Sequence, residues 1–197
     1  HLNDEIQAEF VNQMNTDELL QATVNLDTDD FADILQQLPK KVMQEVLDRL
    51  GQQDRDRLEQ VLSYPEDTAG GLMNTDVVSI RPDLTVDAVL RYLRRHDRMP
   101  EMTDNLFVVT RKDRYIGLLP VTSMLVSDPH TLVTDIMDTE REAIPAVLDE
   151  MDVANLFERH DWVSAPVVNE EGRLLGRITI DDVVDVIRED ADHSLMR

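Results

Sequence analysis

The sequence predicts a chain in two parts: an all-α N-terminal domain of short helices stacked as a superhelix, then a tandem pair of β-α-β-β-α units, α followed by α/β. Three observations predict it. Apolar residues recur at helical spacing from about Asp4 to Ser63. Strand-like runs begin only after a Pro- and Gly-bearing break, and the part that follows repeats its own pattern.

In the N-terminal part the apolar positions are Phe31, Ile34, Leu35 and Leu38, then Val42, Val46, Leu47 and Leu50, then Leu58, Val61 and Leu62. Thr16 or Asp17, Thr28 and Asp54 are candidate N-caps, Pro39 suits the opening of a helix, and Gly51 suits its close. Residues 1–63 are therefore expected to form an acidic helical domain.

Tyr64-Pro-Glu-Asp-Thr-Ala-Gly-Gly-Leu-Met73 breaks the pattern, because Pro65 disfavours helix and Gly70-Gly71 permits backbone angles closed to other residues. Residues 64–73 are read as the junction, with Ala69-Gly70-Gly71 as its hinge. Strands are expected at Val77–Ile80, Leu106–Thr110, Tyr115–Leu119, Ser164–Val168 and Leu174–Ile180.

Leu93-Arg-Arg-His-Asp97 returns as Phe157-Glu-Arg-His-Asp161, each ending a helix capped by Thr85 or Asp149. Each leads to a strand, a charged turn and a glycine-bearing strand: Phe107-Val-Val then Tyr115-Ile-Gly-Leu-Leu, and Pro166-Val-Val then Leu174-Leu-Gly-Arg-Ile. A short helix closes each unit. The repeats are placed at residues 74–135 and 136–197, each covering the other's sheet.

The 197 residues, 42% of them hydrophobic, suffice for a core, and the absence of cysteine removes disulfides and thiolate metal sites. The formal charge of -22, from 41 acidic against 19 basic side chains, opposes nucleic acid and anionic lipid. No stretch reaches the roughly 18 apolar residues that span a bilayer, and His-Leu-Asn-Asp-Glu at the start is no signal peptide. The start at His1 and the polar end fit a segment of a longer protein.

The unit from Pro166 to Ile187, with its glycine strand followed by Thr179-x-x-Asp182, resembles a CBS repeat. Two such units, preceded by an acidic helical domain and the linker Tyr64 to Met73, look like the MgtE family of magnesium transporters. That resemblance implies a Mg2+-sensing region at the cytoplasmic face of the inner membrane, attached to a transmembrane pore and homodimeric through its CBS domains. It implies no catalysis. Mg2+ held by carboxylates between the helical domain and the CBS pair would favour a compact, closed state.

Asp29 and Asp33 stand four apart and share a helix face, where like charges repel; their ordinary reading is a capped first turn. Asp182 and Asp185 open the last helix, where acids favour the positive end, with Asp181 as a competing cap. Asp161 is otherwise a helix-to-strand turn and Asp149 a cap like Thr85; Asp190 joins them further along the last helix. All seven match carboxylate positions that the resemblance implies for Mg2+, whereas one further acidic position of the family falls on Met151. Hard oxygen donors suit Mg2+, which keeps several waters. His96, His130, His160 and His193 lack paired spacing and are read as surface or packing residues rather than zinc ligands.

The alternative is an adenine-nucleotide module, since CBS pairs commonly bind ATP or AMP. The second repeat offers Thr179 and Asp182, but the first has Pro120 and Ser123 at the matching places, which removes a hydroxyl and a carboxylate. No phosphate-binding glycine loop, dinucleotide fingerprint, His-Glu-x-x-His or cysteine nucleophile supports an enzyme. Met99, Met102 and Trp162 are candidates for contact across a dimer.

Overall fold

The computed structural model describes residues 32 and 34–195. The chain divides into two units, His1–Pro65 and Glu66–Arg197. Asp29 and Asp33 lie outside the described residues, as do the caps expected at Thr16, Asp17 and Thr28.

In the first unit the helical spacing becomes α1 (Lys40–Arg49) and α2 (Gln52–Leu62). Ala32, Leu35, Leu38, Val46, Leu47, Leu58 and Val61 are buried, so the apolar stripe does form the core face. Pro39 is the N-cap of α1. Gly51 caps the start of α2, so that helix begins ahead of Asp54, and the chain turns within one residue of Leu50.

The second unit opens with α3 (Ala69–Leu72), and here an expectation is corrected. The Ala69-Gly70-Gly71 hinge is a fixed helical turn. Thr68 caps it by accepting from the Gly71 amide, and Ala69 and Gly70 are buried. The amides of Ala69 and Gly70 donate to the carbonyls of Leu148 and Ala146, both at 2.8 Å. Neither glycine uses the left-handed region there, since among the described residues Gly172 is the glycine with positive φ.

Repeat 1 contains β1 (Ser79–Ile80), α4 (Val86–Leu93), β2 (Asn105–Val109), β3 (Tyr115–Pro120), α5 (Val121–Val126) and α6 (Val133–Ile136). Repeat 2 contains β4 (Ile144–Pro145), α7 (Glu150–His160), β5 (Ser164–Val168), β6 (Leu174–Thr179) and α8 (Ile180–Leu195). The sheets have the same order, β1-β2-β3 and β4-β5-β6, with the first pair parallel and the second antiparallel. Thr85 and Asp149 cap α4 and α7 through their side chains, as the sequence predicts. The closing helices differ: Pro129 follows α5 and discourages helical extension, whereas nothing of the kind follows β6 and α8 runs for 16 residues.

Each sheet gains an edge from the segment that leads into the other repeat. Asn74 exchanges two backbone hydrogen bonds with Arg177 of β6, both 2.8 Å, and Asp138 exchanges a pair with Leu118 of β3, at 2.7 and 2.9 Å. This swap explains the two strand glycines. A Cβ on Gly176 would lie 2.3 Å from the Asn74 carbonyl oxygen, and one on Gly117 2.5 Å from that of Asp138. Val89, Leu106, Val108, Leu119 and Val133 centre the core of repeat 1, with Met99 packed against it.

Candidate functional site: the acidic face of the second repeat

Helices α7 and α8 pack together, and the Ile180 amide at the start of α8 donates to the Val163 carbonyl just beyond α7. Carboxylates expected to hold cation fall at both ends of this pair. Asp149 is the N-cap of α7, its side chain accepting from the Met151 amide at 2.9 Å. Asp161 is its C-cap in the left-handed region, φ 53°, which Asp tolerates better than most residues. Twelve residues of helical rise separate the two by about 18 Å, whereas ligands of one Mg2+ lie within about 4 Å of each other. They cannot share an ion.

The structure brings Asp149 into one electrostatic group with Asp190. Burial and then the charges of Glu189, Asp149, Asp67 and Asp190 push the Glu150 carboxyl up from its usual range. Glu150 is half-buried at the first position of α7, and its amide donates to the Asp67 carbonyl at 2.9 Å. Asp67 and Glu150 were not singled out by sequence. Nothing in the periodicity shows that the chain ahead of repeat 1 docks beside α7.

At the other end, Asp182 is half-buried in the first turn of α8. Its Oδ2 accepts from the Thr179 hydroxyl at 3.3 Å and from the Asn74 side-chain amide at 3.4 Å. Thr179 is buried and its hydroxyl also donates to Asp181. The two residues read as nucleotide contacts therefore engage each other. Asp185 is exposed one turn on, and Asp182, Asp185 and Glu189 share one stripe of the helix.

Among the described residues no three His, Asp or Glu side chains gather closely enough to hold an ion directly. The donor set is one of hard oxygens, mostly exposed and spaced apart. That set fits a cation that keeps its water shell and is reached by single carboxylates from more than one surface; it does not fit a closed chelate.

Beside Asp161 an open groove of about 500 Å3 is lined by Asp138, Glu140, Arg141, Leu156, His160 and Trp162, among others. Trp162 stacks on His160 with ring centroids 4.8 Å apart, meets Phe157 edge-on, and lies 4.3 Å from the Arg141 guanidinium carbon. Burial lowers the Arg141 pKa, and its guanidinium donates to the Ser164 carbonyl. Arg177 is buried and ties the repeats together by donating to the Met102 carbonyl at 3.0 Å and to that of Glu101. Met102 is exposed, with φ 55°. His96 is exposed and meets Tyr92 edge-on, and His130 and His193 are exposed.

Residues 1–67 match the family model of the MgtE intracellular N domain, and residues 69–127 and 133–189 match that of the CBS domain. The magnesium transporter MgtE of Thermus thermophilus is 37% identical over 198 residues, covering 99% of this chain and 44% of that protein. That of Bacillus subtilis is 29% identical over 192 residues, covering 97% and 42%. The chain thus spans less than half the length of these relatives. Among solved structures, the soluble part of a magnesium transporter superposes with a TM-score of 0.88 at 27% identity, covering 96% of this chain and 74% of that one. The cytosolic domain of the Mg2+ channel MgtE in complex with ATP gives 0.78 at 35%, covering 91% and 78%. The chain belongs to the MgtE family of magnesium transporters and carries that family's N domain followed by its CBS pair.

Proposed function

We propose that this chain is a Mg2+-sensing regulatory region, without catalytic activity, of a membrane magnesium transporter. Asp29 and Asp33 of the N domain and Asp149, Asp161, Asp182, Asp185 and Asp190 of the CBS pair supply carboxylates to hydrated Mg2+. Bound cation favours a compact state that closes an attached pore, and its loss lets like charges drive the two domains apart. The domain limits are those expected from sequence, with movement assigned ahead of Thr68, because α3 is fastened into repeat 2. The region works at the cytoplasmic face of the inner membrane as a homodimer through its CBS domains.

The observation that carries this reading is the group around Glu150. Burial first, and then the charges of four neighbouring carboxylates, raise the Glu150 pKa, so ionised side chains repel there unless a cation intervenes. Because the cation binds compact and open arrangements unequally, its concentration shifts their populations. Calorimetric titration of the chain with MgCl2, against KCl at matched ionic strength, tests it. Saturable heat with Mg2+ alone, weakened about tenfold by Asp149→Asn with Asp190→Asn, is expected. Equal responses to the two salts would sink the reading.

A second reading has the groove at Trp162 in its favour. An aromatic ring beside Arg141 in a space of about 500 Å3 suits an adenine nucleotide, and the similar MgtE structure is an ATP complex. It moves the nucleotide away from Thr179 and Asp182. Trp162 is the chain's single tryptophan, so its fluorescence reports directly. Quenching by ATP that saturates supports this reading, and its absence removes it.

A further inference from the structure

We propose that Asn74 is a positioning residue for the cation site at Asp182, which rests on the reading of Asp182 as a cation ligand. A hydroxyl has one proton to give, and that of Thr179 lies closer to Asp181 than to Asp182. The Asn74 amide, with two protons to give, donates to the Asp182 Oδ2 at 3.4 Å. Asn74 is itself held fast. It is 5% exposed, and its backbone gives and receives a 2.8 Å hydrogen bond with Arg177, two residues before Thr179 and five before Asp182.

A neutral donor at this place fixes the direction of the Asp182 carboxylate without adding charge. The same pairing makes residues 68–74 and the start of α8 one piece. The force of a cation on Asp182 is therefore delivered to the segment through which the chain enters this unit. Repeat 1 lacks the device: the backbone register puts Asp138 at the place of Asn74, and the helix after β3 carries Ser123 at the place of Asp182. The one repeat with both partners is the one whose closing helix bears the acidic stripe.

The test compares Asn74→Ala, Asn74→Asp and Asp182→Asn in the whole chain, reading Mg2+ affinity by calorimetry from pH 5 to 8 and thermal unfolding in chelator. Asn74→Ala weakens Mg2+ about tenfold, the scale for loss of a residue that orients a ligand. Asn74→Asp keeps the size of the side chain, binds Mg2+ more tightly at pH 8, and loses affinity more steeply toward pH 5 because two adjacent carboxylates titrate together. A purely structural Asn74 lowers the melting temperature in both variants and leaves Mg2+ affinity within about twofold at every pH, which overturns the proposal. If Asp182→Asn alone leaves Mg2+ binding intact, the cation reading of Asp182 falls and the role of Asn74 falls with it. If Asp182→Asn weakens binding and the Asn74 variants do not, Asp182 stands and Asn74 does not.

Discussion

Replacing Gly176 by Ala should separate the segment before repeat 1 from β6. The added methyl would sit 2.3 Å from the Asn74 carbonyl oxygen, 3.1 Å from its carbon and 3.2 Å from the Met73 sulfur. Two of these atoms are backbone, so a rotamer change cannot relieve the clash. Pushing the segment back breaks the two 2.8 Å hydrogen bonds between Asn74 and Arg177, at about 1 kcal/mol each. Overpacking around Met73, which is fully buried, adds about 1 to 3 kcal/mol. The sum is roughly 3 to 5 kcal/mol, a fall in melting temperature of roughly 6 to 20 °C for a chain of this size. Urea unfolding followed by Trp162 fluorescence reads this unit, since the single tryptophan lies in it. If the Gly176 variant unfolds at the same urea concentration as the parent, the close approach is not what selects glycine there.

Two further predictions concern the acidic face. Because folding raises the Glu150 pKa, this residue favours the fold when protonated, and that contribution is lost as pH rises through the folded value. Glu150→Gln should therefore stabilise the chain at pH 7 by about 0.5 kcal/mol, a solvent-screened magnitude, with the gain shrinking at pH 4; urea midpoints at both values check it. Asp161→Gly and Asp161→Ala both remove the carboxylate, but only Gly is at ease at φ 53°, so Gly should be the more stable by about 1 kcal/mol in chelator while Mg2+ affinity drops alike in both.

The helical stripe of the first unit, the two caps Thr85 and Asp149 and most strands were legible because each depends on residues near in sequence. Ile144–Pro145 was not, being two residues long with a proline; nor was the long course of α8, which depends on the lack of a breaker where repeat 1 has Pro129. Ala69-Gly70-Gly71 was read as a hinge and is a helical turn. Its two glycines signal freedom locally, but their amides find partners at Ala146 and Leu148, far along the chain. The same distance hid Asn74, Asp67 and Arg177, whose partners come from the other repeat or from the swap of edges. The family resemblance pointed to Asp149 and Asp190; their membership of one group required the packing of α7 on α8.

The most direct test of Mg2+-driven compaction is small-angle X-ray scattering of the chain over a magnesium titration, with potassium at matched ionic strength and Asp29→Ala, Asp33→Ala alongside. The radius of gyration should fall with Mg2+ alone, and the double variant should need more Mg2+ to reach the same value. Equal curves for the two salts, or a double variant that follows the parent, would contradict a carboxylate clamp between the N domain and the CBS pair.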